Sequence, residues 1–136
     1  MRITRIIWPI LLMFLTGAAV VSQEKNPPAQ QHNYTYDQAA QQTFEGIVIE
    51  TKDYSCPVSG TVGSHITLKG EISTIEVHLA PTTFMKQYEI SINKGDRVTV
   101  VGSKITFEGK PALIAKTIVL GRDTFNFRDP KGRPLW

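Results

Sequence analysis

From residue 43 onward, apolar and polar residues alternate in short runs separated by Gly, Pro and Asp. Strands buried on one face read this way. Residues 46–49 open the first strand, and the turn-rich stretch 53–60 reads as a loop. Residues 65–69 and 74–79 alternate cleanly around Gly70 and Glu71, which predicts a hairpin. A short helix is expected over 84–88, with Thr82 or Thr83 able to cap its free amides. After a turn at 93–96 comes a strand over 97–107, interrupted at Gly102 and Ser103 where a bulge or bend is expected. A turn at 108–111 leads into a strand over 112–120. Residues 123–128 add an edge strand, and a further turn at 129–132 lets Trp136 fold back on one end of the barrel or serve as a docking segment.

Three strands, a helix, two long strands and an added piece is the element order of a five-stranded Greek-key OB barrel. The expected class is all-β with one short helix, and the barrel domain is expected over 43–136. The run 94–102, with Gly95, Asp96, Val98 and Gly102, followed by 107–115, with Gly109, Pro111 and Leu113, resembles the last two barrel strands of OB-fold proteins. With the leader described next, residues 43–120 resemble the small periplasmic OB-fold proteins of bacteria. That resemblance implies an envelope protein that binds a partner or ligand without catalysing a reaction. Fold alone assigns no activity.

Residues 1–22 read as a signal peptide: Arg2 and Arg5, an apolar stretch broken by Pro9, then small residues that allow cleavage after Ala19 or Ser22. An uncleaved anchor stays open, although the apolar stretch of about 16 residues is short of the roughly 20 that span a bilayer. A periplasmic or secreted location follows, with membrane contact only through an uncleaved leader. Residues 23–42, with Asn26, Pro27, Pro28 and repeated Gln, read as a flexible linker whose Tyr34 to Ala40 portion could instead cap the domain. The formal charge of +3 comes from 15 bases against 12 acids, and the leader carries two of those bases and no acid. The rest, 13 against 12, is nearly neutral, which disfavours nucleic acid as a partner. Cys56 is the only cysteine, so no internal disulfide can form.

The hairpin carries the candidate chemistry. If Ile66, Leu68, Ile75 and Val77 share the core face, then His65, Thr67, Thr74, Glu76 and His78 share the other. A turn centred on Glu71 and Ile72 sets His65 directly across from His78, within reach of one Zn²⁺ or Cu²⁺, with Cys56 or Glu76 as a further ligand. A register shifted by two puts His65 opposite Glu76 instead, an ordinary ion pair on a solvated face. Without the metal, His65, Thr67, Glu76 and His78 with Tyr54 form a binding surface for an envelope protein or small ligand on the second and third strands, and no cofactor is required. That surface presents few aromatic residues for stacking bases. No nucleophile elbow, phosphate loop, zinc-helix motif or paired redox cysteines occur, so no enzyme is expected.

Overall fold

Sixteen consecutive residues, Gln41–Cys56, form the first strand, β1, long enough to serve two neighbours. Its first half pairs antiparallel with β4, Arg97–Phe107, and its second half with β2, Thr61–Lys69. The computed structural model describes residues 34–136; the expected leader and most of the expected linker lie outside the described residues. β3, Thr74–Pro81, is followed by helix α1, Thr82–Gln87, then by β5, Lys110–Leu120, and β6, Asp123–Asn126. β2 pairs with β3, β3 runs parallel to β5, and β5 pairs with β4. The circuit β1-β2-β3-β5-β4 therefore closes on β1, and β6 adds an edge to β5. This is the expected OB architecture.

The alternating apolar positions fill the barrel: Val48, Ile66, Leu68, Val77, Val98, Val100, Leu113 and Ile118 are all buried. Phe84 and Met85 of α1 and Phe127 after β6 join the same core. Burying such side chains contributes about 1.5–3 kcal/mol each. A smaller apolar layer lies apart from that core. Cys56, Phe107, Ala112 and Ile114 are buried yet outside the main cluster.

Several expected boundaries shift. Residues 53–56 are strand, not loop, because Asp53, Tyr54, Ser55 and Cys56 pair with Ser64, Gly63, Val62 and Thr61. Pro57, which lacks an amide donor, follows the last paired residue, and the turn closes with Gly60 N–H donating to the Cys56 carbonyl at 2.9 Å. Regular structure also begins before residue 43: Gln38–Ala40 forms a 3₁₀ turn capped by Asp37, and Gln41 and Gln42 pair with Ser103 and Gly102. No threonine caps α1. Pro81 occupies the N-cap and offers no side-chain acceptor.

The break expected at Gly102 is a register shift within a continuous β4. A Cβ at Gly102 would sit 2.5 Å from the Ile114 carbonyl oxygen, so only glycine permits this bulge. The edge strand ends at Asn126, after which Phe127 turns into the core and Arg128 bridges to Pro134. Trp136 folds back as expected, edge-on to Phe84 at 5.8 Å and beneath the Arg128 guanidinium, and stays 38% exposed.

Candidate metal centre

Period-two alternation aims Lys52, Tyr54 and Cys56 of β1 to one side. The ladder then sets Lys52 beside His65, Tyr54 beside Gly63 and Cys56 beside Thr61. Across the next pair, His65 faces His78 and Thr67 faces Glu76, the first of the two registers open from sequence. The core face assigned to Ile66, Leu68, Ile75 and Val77 is the one observed. The opposite face is not solvated, however: His65 is 1% and His78 2% exposed. Tyr54 covers His65 at 3.9 Å between ring centroids, and Phe107 stands edge-on to His78 at 4.5 Å, itself met by Tyr34 at 5.4 Å.

Cys56, His65 and His78 each bring one donor atom within 4.8 Å of the others, and all three residues are buried. The Cys56 Sγ lies 3.4 Å from His78 Nδ1. Donors bound to one ion at about 2.0–2.3 Å are roughly 3.4–3.6 Å apart, so this edge already has coordination length. A cavity of about 10 Å³ beside them is lined by Cys56, Gly63, His65, His78 and Trp136, room for a single small atom. Gly63 keeps that room open. A Cβ there would stand 2.9 Å from the Cys56 Cβ and 3.5 Å from His65 Nε2.

The Nε2 atoms of both imidazoles are buried without a hydrogen-bond partner. An unsatisfied buried polar atom costs about 1–3 kcal/mol; the His78 Nε2 has only the Glu76 carboxylate at 3.9 Å, while its Nδ1 faces the thiol. The other nitrogen of His65, Nδ1, is 2.9 Å from Glu76 Oε1. Glu76 also accepts from the Tyr54 hydroxyl and pairs with Lys52 Nζ at 3.6 Å. A carboxylate acceptor fixes the Nδ1–H tautomer of His65 and leaves the Nε2 lone pair free, the outer-shell arrangement of histidine metal ligands.

The profile of the MamS/MamX magnetosome protein family matches residues 40–125, from the 3₁₀ turn into β6, and so spans every residue of this cluster. The chain belongs to the MamS/MamX family. No curated protein matches it. Among solved structures it is similar to the Stn1-ten1 complex of S. pombe, at 20% identity and TM-score 0.48 over 61% of this chain and 59% of that one. It is also similar to the mitochondrial single-stranded DNA binding protein Rim1 of S. cerevisiae, at 14% identity and TM-score 0.45 over 62% of this chain and 95% of that one.

Electrostatics in this MamS/MamX barrel keep the donors ready for a cation. Burial lowers the His65 pKa against the opposing pull of Glu76, and burial followed by the neighbouring His65 lowers His78 to about 4. Both rings are therefore neutral at neutral pH. Burial works to raise Glu76, but the hydrogen bonds from Tyr54 and His65 and the charge of Lys52 outweigh it and hold the carboxylate below its usual range. Burial, then Glu76, raises Tyr54, which stays a protonated donor.

Of the residues expected to contact a ligand, Cys56, His65 and His78 converge. Tyr54 and Glu76 support them from outside, and Thr67 stands apart with its hydroxyl 3.4 Å from Glu50. Sequence reasoning missed Lys52, Gly63 and Phe107. A glycine inside a strand run, the mark of a close approach, was the available signal for Gly63. Among the described residues, larger surface hollows of about 690, 510 and 380 Å³ hold no such cluster; the first lies between Phe44 and Ile72, away from the histidines.

Proposed function

We propose that this MamS/MamX family protein is a non-catalytic metal-binding barrel that holds one transition-metal ion through Cys56, His65 and His78. Two neutral imidazoles and a thiol suit Zn²⁺ or copper and suit Mg²⁺ or Ca²⁺ poorly. The observation carrying this reading is the convergence of three buried donors: the Cys56 thiol, His78 with its Nδ1 3.4 Å from that thiol, and His65, whose buried Nε2 has no hydrogen-bond partner. The binding face expected on the second and third strands becomes the same place, with a metal ion as its ligand.

The family's name links its namesakes to the magnetosome, and we extend that association, together with export through residues 1–22, to this chain. A nucleic-acid reading has less support. Bases and acids nearly balance beyond the leader, and the aromatic rings at this face, Tyr54 and Phe107, are turned onto imidazoles. Thermal unfolding with and without Zn²⁺ tests the proposal. A ligand at one hundred times its Kd adds about 2.7 kcal/mol, so saturating Zn²⁺ raises the Tm by several degrees, and a His65→Ala/His78→Ala variant loses the rise. An unchanged Tm at saturating Zn²⁺ rejects the site.

A further inference from the structure

We infer that the ion held here is copper and that the centre exchanges single electrons. This rests on the metal-binding reading above and goes further, to the identity and use of the ion. The donor set is two imidazoles and one thiolate, and among the described residues no further His, Cys, Asp or Glu joins the group. Glu76, the nearest carboxylate, is occupied by Tyr54, His65 and Lys52. Structural zinc takes four protein ligands, and catalytic zinc takes three with an open position for water or substrate. The cavity of about 10 Å³ beside the donors, closed by Leu79, Ala80 and Trp136, offers neither. Trigonal His₂Cys coordination is what copper electron-transfer sites use.

The frame suits that role. The three donors lie on three adjacent strands, and His78 is also fixed by the parallel pairing of β3 to Ile114 on β5. The two imidazoles, carried by paired strands and packed against Tyr54 and Phe107, resist rearrangement between the geometries preferred by the two oxidation states. On loading, the Cys56 S–H bond breaks, its proton passes to solvent, and the resulting thiolate bonds to copper. In each cycle thiolate-bound Cu²⁺ accepts one electron from a one-electron carrier to become Cu⁺, and returns it to a second carrier. No bond breaks, and no proton moves, because His65 keeps its Nδ1–H on Glu76. The half-buried Tyr54 against His65 and the partly exposed Trp136 at the cavity wall bring the centre close to the surface.

The test is optical and magnetic titration of the purified protein with Cu²⁺, followed by ascorbate and then ferricyanide, with Zn²⁺ binding measured in parallel. The expected result is an intense visible thiolate-to-copper band at one ion per chain. Ascorbate bleaches it with one electron, ferricyanide restores it, and Cys56→Ser abolishes it. Zn²⁺ binding without a reversible band overturns the copper assignment and leaves the metal-binding reading standing. Failure to bind either ion overturns both. The wild-type cycle decides even if Cys56→Ser does not fold.

Discussion

A buried imidazole must be neutral or well partnered, and the two here are held neutral with their Nε2 atoms unpartnered. Acid therefore opposes the metal-free fold. His78 has its pKa lowered to about 4 from an ordinary value of 6.5, so between these values the unfolded chain binds the proton and the folded one does not. Its stabilising contribution is complete above pH 6.5 and is lost as pH falls towards 4, a loss of a few kcal/mol at about 1.4 kcal/mol per unit. His65 and Glu76, both lowered, act in the same direction; Lys52 and Tyr54 are the other groups facing them. Melting of the metal-free protein from pH 7.5 down to 4.5 should show a steep fall below about 6.5 that a His78→Phe variant flattens; a level profile contradicts neutral burial. Glu76→Gln keeps an acceptor for His65 Nδ1–H but removes the charge, and should weaken Zn²⁺ affinity by about 10–100-fold. An unchanged affinity by calorimetry would remove Glu76 from the outer shell. The juxtaposition of His65 and His78 was legible in sequence, because Ile66, Leu68, Ile75 and Val77 fix both face and register. Their burial was not, since it depends on Phe107, about thirty residues downstream.

At the scale of elements, the length of β1 decides the site. Asp53, Ser55 and Pro57 read locally as turn formers, yet the ladder to Thr61 and Gly63 carries the strand through to Cys56 and delivers the thiol to the histidines. Local propensity yields to pairing with a neighbour, and nothing within residues 53–60 reports that neighbour. The 65–78 hairpin, the bulge at Gly102 and the helix between the third and fourth strands were readable because period and turn residues are local signals. Gly63 lies where these elements meet. Gly63→Ala puts a methyl 2.9 Å from the Cys56 Cβ and towards His65 Nε2, and should cost about 1–3 kcal/mol from overpacking while abolishing Zn²⁺ binding. Denaturant melts and calorimetry on the same sample separate the two effects; full affinity in a destabilised variant would show that the ion does not use this cavity.

For the whole molecule, barrel closure turns an ordinary sheet face into a metal pocket. The parallel β3–β5 pairing brings Ala112 and Ile114 alongside Glu76 and His78, and these residues with Phe107 and Cys56 make the second apolar layer outside the barrel. The OB order was legible from strand spacing; this outer layer was not, because it arises only when the sheet closes. The account rests on one claim, that Cys56, His65 and His78 bind the same ion. X-ray absorption at the metal edge of the loaded protein tests it most directly. It should show one sulfur at about 2.3 Å and two imidazole nitrogens at about 2.0–2.1 Å, with the sulfur lost in Cys56→Ser. A shell of oxygen and nitrogen without sulfur, or one unchanged in that variant, would contradict it.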